Sequence, residues 1–133
     1  MDIIKLQETD NTPEVKLDHS ENYIRFKGDS RPEDVRKFYL PIIDWLGEYE
    51  KQLHYIKDQG GSVDIVVDFE FEYFNSSSAK YLMDIIIKLG EISNADNVSI
   101  QLNWHYDEMD EDMLDSGEEF QDMLDVEFNF IKH

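Results

Sequence analysis

Ser76-Ser77-Ser78 stands between an aromatic pair, Tyr73-Phe74, and the apolar positions Ala79, Leu82, Met83, Ile86 and Leu89. The three- and four-residue spacing of those positions predicts a helix that opens at the serines. A helix N-terminus leaves backbone N–H groups without partners and carries partial positive charge. A Ser or Asn side chain satisfies one of these donors, and a phosphate is favoured there for the same reasons. Asn75-Ser76-Ser77-Ser78 therefore combines capping chemistry with a place where phosphorylation needs little refolding. Read locally, these residues serve as caps and turn formers as readily as modification sites. Lys80 falls in the first turn, near a phosphate placed there, whereas Asp68, Glu70 and Glu72 lie on the segment before it. About two further negative charges at an exposed helix start would repel an acidic partner or break a close contact. The expected direction is an off-signal for one partner.

The second chemically loaded stretch is acidic. Asp107, Glu108, Asp110, Glu111, Asp112, Asp115, Glu118, Glu119, Asp122 and Asp125 occur with no Lys or Arg among them. The first few suit a helix N-terminus through its dipole, and those near Asp125 oppose it. Two readings remain, a solvated face and a docking surface for a basic partner. A calcium loop fails, because Leu114 occupies the next expected ligand position and no glycine stands where the loop must turn. His19, His54, His105 and His133 show no ligand spacing, and His105 reads as a surface strand residue. No metal and no cofactor are expected. Ser77 and Lys80 have Ser-x-x-Lys spacing without supporting groups, and Gly60-Gly61 leads into a strand rather than a phosphate-binding helix. No catalytic residues emerge, so an enzyme is not expected.

The whole composition narrows the partners. A formal net charge of −19 over 133 residues opposes nucleic-acid binding, which depends on Lys and Arg neutralising phosphates. Anionic membranes repel such a chain as well. A basic protein surface is its natural complement, and such attraction mainly raises association rate. No apolar run approaches the roughly 20 residues of a membrane span. Met1-Asp2-Ile3-Ile4-Lys5 lacks the basic flank and apolar stretch of a secretory signal. With no cysteine in the chain, a reducing cytoplasm is the expected compartment.

The elements that must position these residues follow from periodicity. Residues 3–6, 15–18 and 23–27 read as short strands, the last two joined at Asp18-His19-Ser20-Glu21-Asn22. Gly28-Asp29-Ser30-Arg31-Pro32 is dense in turn formers, with Ser30 the expected N-cap and Glu33 completing a capping box. Val35, Phe38, Tyr39, Ile42, Trp45, Leu46, Tyr49, Leu53 and Ile56 then mark an amphipathic helix that continues in phase across Pro41. Val63, Ile65, Val67, Phe69, Phe71 and Tyr73 alternate with mostly acidic residues, a strong strand signal. A strand over 98–106 and a helix over about 110–125 follow, with Met109, Met113, Phe120, Met123 and Leu124 expected on the buried side. Residues 126–131 read as a last strand. The expected class is α/β: one domain over 1–133, a single-layer mixed β-sheet with packed helices.

Six segments together resemble the SiaC-type family of bacterial regulatory phosphoproteins. They are Thr12-Pro13-Glu14-Val15-x-Leu17-Asp18, Gly28-x-Ser30-x-Pro32-Glu33, and Phe38-Tyr39-x-Pro41 with Trp45-Leu46. Tyr73 to Lys80, Trp104-x-Tyr106, and Asp110-Glu111-Asp112-Met113 with Gly117-Glu118 complete the set in family order. The resemblance implies a fold similar to the STAS domains of anti-sigma factor antagonists and a role in partner switching. It implies a protein kinase, a metal-dependent Ser/Thr phosphatase and a target, in the best-known system a diguanylate cyclase activated by the unphosphorylated protein. Ser76 takes the family's phosphoacceptor place, often Thr, with Ser77 and Ser78 as alternatives. Tyr73, Asn75, Lys80, Asp110, Glu111 and Asp112 are the expected partner-binding residues. From a different class, a constitutive acidic scaffold or inhibitor would dock a basic partner through residues 107–125.

Overall fold

The computed structural model describes residues 1–133. Its elements run β1 (Ile4–Leu6), β2 (Glu14–Asp18), β3 (Tyr23–Ser30), α1 (Val35–Asp58), β4 (Val63–Phe74), α2 (Ser76–Ser93), β5 (Val98–Tyr106), α3 (Glu111–Leu124) and β6 (Asn129–Lys132). All six strands form one sheet in chain order. β1, β2 and β3 are an antiparallel meander, and β3, β4, β5 and β6 are parallel. Each parallel step contains a helix. Right-handed crossovers that all step the same way place their helices on one face of the sheet. The other face is left open, and the expected mixed single-sheet α/β class is what is seen.

Period-two alternation sorts the strands accordingly. Val15, Leu17, Ile24, Phe26, Ile65, Val67, Phe69 and Trp104 are buried beneath the helices. Helix α1 contributes Tyr39, Ile42, Trp45, Leu46, Tyr49 and Leu53, and α2 contributes Leu82, Ile85, Ile86, Leu89 and Ile92. Fully burying such a side chain stabilises a fold by roughly 1.5–3 kcal/mol relative to leaving it exposed. Pro41 lies inside an uninterrupted α1, so its missing donor is tolerated by a helix pinned along its apolar stripe.

Three sequence expectations are corrected. Ser30 does not cap α1: β3 runs on to pair Ser30 with Phe74, and Asp34 caps the helix by accepting from the Lys37 N–H at 3.0 Å. Met109 and Met123 are not on the buried side of α3. They are 88% and 62% exposed, while Met113 and Phe120 fill the interface. Tyr73 is not on the apolar row of β4. The register with β3 shifts so that Gly28 faces Phe71 but Asp29 faces Tyr73, leaving Glu72 as an extra residue. This bulge reverses the alternation. Phe74 turns inward against Phe71, Trp104 and Phe120, and Tyr73 turns out to 50% exposure.

Candidate functional site

Helix α2 starts where β4 ends, and its first residues are held from both sides. The Asn75 side chain accepts from the Ser78 N–H at 2.8 Å, and the Asn75 N–H donates to the Ser30 carbonyl at 3.0 Å. Ser78 is buried, with 0% exposure. Its hydroxyl donates to the Ser30 carbonyl at 3.0 Å and accepts from the Ser30 hydroxyl at 2.9 Å. Proton counting then makes Tyr39 the donor to Ser30 Oγ, closing a chain Tyr39 to Ser30 to Ser78 to backbone. Burial outweighs these hydrogen bonds and pushes the Tyr39 phenol up to about 12. Tyr39 also stacks on Tyr81, at 5.8 Å between ring centroids, which ties α1 to α2. The helix start is therefore an anchored platform.

On that platform Ser76 and Ser77 are exposed, and their hydroxyls make no hydrogen bond within the protein. Their N–H groups also lack protein acceptors, since the capping bond serves Ser78 and the Asn75 carbonyl serves Ala79. Two of the three serines thus present free hydroxyls beside unpaired donors, and the third is structural. Lys80 is exposed and forms no ion pair.

A shallow cleft beside this platform is lined by Glu72, Tyr73, Phe74, Asp110, Asp112, Met113 and Ser116. The fold thus brings Tyr73, Asp110 and Asp112 together from segments far apart in sequence. Asp110 caps α3, accepting from the Met113 N–H at 3.0 Å, so its carboxylate is partly committed to the helix. Glu111 and Asp112 are exposed in the first turn, where the dipole favours them. Gly117 lets α3 approach the sheet: a Cβ there would lie 2.5 Å from Trp104 Cδ1 and 2.9 Å from Phe130 Cε1. Trp104 Nε1 donates to the Met113 carbonyl at 2.9 Å, fixing the same contact. None of the acids from Asp107 to Asp125 enters an ion pair, so α3 shows solvent an uncompensated anionic face.

The open face of the sheet carries a second cluster that sequence reasoning missed. Asp68 accepts from the Tyr23 hydroxyl at 2.5 Å and the Asn103 amide at 2.9 Å, and His105 Nε2 lies 2.8 Å from it. Burial opposes ionisation of Asp68, but these hydrogen bonds prevail and hold its carboxyl below the usual range. His105 Nδ1 lies 2.8 Å from His133 Nε2. His105 is therefore an anchored member of a network rather than a lone surface residue. The missing signal was tertiary: β6 pairs with β5, and His133, the residue after β6, comes alongside His105, 28 residues away.

An exposed hydroxyl pair thus stands on an anchored helix start beside an acidic helix, in a single mixed sheet covered by helices on one face. The chain belongs to the SiaC family of regulatory phosphoproteins, whose family model matches residues 6–133. It is 29% identical over 125 residues to an uncharacterized protein of Pseudomonas aeruginosa strain UCBPP-PA14, covering 94% of this chain and 92% of that one. The structure is similar to apo-SiaC from Pseudomonas aeruginosa, with a TM-score of 0.78, 27% identity, and 100% and 99% of the two chains covered. It is also similar to a chain in the crystal structure of diguanylate cyclase SiaD in complex with its activator SiaC, from the same organism. There the TM-score is 0.84 at 27% identity, over 98% and 99% of the chains.

Proposed function

We propose that this protein is a non-catalytic partner switch, which binds and activates a diguanylate cyclase when unphosphorylated and is released by phosphorylation at Ser76. A protein kinase adds the phosphoryl group and a metal-dependent Ser/Thr phosphatase removes it, in the cytoplasm. The observation that carries this reading is the division of labour among three adjacent serines. Ser78 locks the helix start from inside, so that Ser76 and Ser77 stand exposed on a fixed support. Of the two, Ser76 is the first residue of α2 and stands nearer in sequence to the exposed Tyr73. The SiaD–SiaC complex from Pseudomonas aeruginosa supports a cyclase as the target class. Phosphorylation would add about 1.5 to 2 negative charges at the first residue of α2 without demanding that α2 refold.

Pull-downs from lysate of the native host, using wild type, Ser76→Ala and Ser76→Asp, test the proposal. Wild type and Ser76→Ala should retain a cyclase that Ser76→Asp loses, and intact mass should show a phosphorylated fraction in wild type only. Equal retention by all three, with a phosphorylated fraction surviving in Ser76→Ala, sinks it. The uncompensated acids of α3 favour one alternative, a constitutive scaffold that docks a basic partner whatever the state of Ser76.

A further inference from the structure

We infer that Glu70, His105 and His133 form a transition-metal site on the open face of the sheet, fitted to Zn2+. One donor atom from each residue lies within 4.8 Å of the other two. His105 Nδ1 stands 2.8 Å from His133 Nε2 and 3.7 Å from Glu70 Oε1. Ligands of a tetrahedral zinc at about 2.0–2.1 Å are separated by about 3.3 Å, so the imidazoles must part slightly and the carboxylate must close slightly. Two neutral imidazoles and one carboxylate suit Zn2+ and its neighbours and disfavour Mg2+ and Ca2+, which take oxygen ligands. The fourth position is left to water or to a ligand from a partner.

Each ligand is held in place by something else. Asp68 accepts from His105 Nε2–H, which fixes the tautomer and turns the Nδ1 lone pair towards Glu70 and His133. Asp68 is itself oriented by the Tyr23 hydroxyl and the Asn103 amide. Arg25 Nε sits 2.9 Å from Glu70 Oε2, leaving Oε1 on the histidine side. The backbone of His133 is tied at both ends, its N–H to the Tyr106 carbonyl at 2.9 Å and its carbonyl to the Glu108 N–H at 2.8 Å. A carboxylate–histidine–metal relay with supported partners is what distinguishes a built site from adjacent polar side chains. The bound ion would cross-link β4, β5 and the residue after β6.

Calorimetric titration of the untagged full chain with Zn2+, in excess Mg2+ to occupy the carboxylates of α3, tests the site. One saturable Zn2+ per chain is expected. His133→Ala and Glu70→Gln should each weaken binding at least tenfold, and Asp68→Asn should do so by about ten- to a hundredfold through His105. Substitution by Co2+ should give the visible absorption of a tetrahedral site, absent in His133→Ala. Circular dichroism of metal-free His133→Ala should match wild type, because that side chain is exposed. Failure of wild type to bind one Zn2+ saturably, or full affinity retained in His133→Ala, overturns the inference. Neither outcome bears on Ser76.

Discussion

Ser30 and Ser78, 48 residues apart, exchange two hydrogen bonds at the point where β4 gives way to α2. The pair joins the end of β3 to the first turn of α2 through buried hydroxyls. Ser78→Ala should therefore lower stability by about 1–2 kcal/mol, since it leaves the Ser30 hydroxyl without its acceptor. Chemical denaturation would show a reduced midpoint with an unchanged slope. If Ser76 is the phosphoacceptor proposed above, its phosphorylation should persist in this variant.

A negative charge at Ser76 should have opposite effects on folding and on binding. At the first residue of α2 it meets the positive end of the helix dipole, so Ser76→Asp should stabilise the free protein by about 0.3–1 kcal/mol. The same substitution should abolish capture of the target. Thermal unfolding of the free variant alongside a binding titration checks both signs.

Tyr73→Ala should weaken target binding at least tenfold while leaving the unfolding midpoint close to wild type. The ring is half exposed and the bulge has removed it from the core. A large loss of stability would instead show that the ring is structural.

Gly117→Ala should push α3 off the sheet, because the added Cβ has no room beside Trp104 and Phe130. Overpacking of this kind typically costs about 1–3 kcal/mol. Altered Trp fluorescence together with a lowered denaturation midpoint would report it.

The buried Tyr39 phenol makes stability sensitive to alkali. Its folded value of about 12 lies above the ordinary value of 10.0. A raised value means that the stabilisation is complete below pH 10.0 and is lost as pH rises through about 12. Tyr39→Phe should be less stable at neutral pH yet show a shallower decline over that window, measured by denaturant titrations at stepped pH.

Elements with unbroken periodicity were readable from sequence. The strand at Val98–Tyr106 and the stripe through Tyr39, Ile42, Leu46, Tyr49 and Leu53 appear as expected, because each turns its apolar side chains to one side, with Leu102 and Trp104 buried in the strand and the whole stripe buried in the helix. Local signals failed where distant partners decide. Ser30 has the composition of a helix cap, but its hydroxyl and carbonyl are claimed by Ser78 and Tyr39. Met109 and Met123 have the right type for a core, yet α3 covers the sheet with only a narrow stripe around Met113, Gly117 and Phe120. The candidate phosphoacceptor was visible as a run of three serines, and only packing separates the buried one from the exposed two. His105 and His133 meet through strand pairing, which no spacing rule encodes.

The extra residue at Glu72 works as a phase shifter. Upstream of it β4 delivers its large apolar side chains to the interior, and immediately downstream the same strand hands an aromatic ring to solvent. Were Glu72 instead paired regularly opposite Asp29, Tyr73 would turn inward and Phe74 outward, whereas removing Glu72 would leave both rings facing as they do now. The surface on which Ser76 sits is thus written in a single-residue frame, set by the two-against-one pairing and not by the side chain that occupies the extra position.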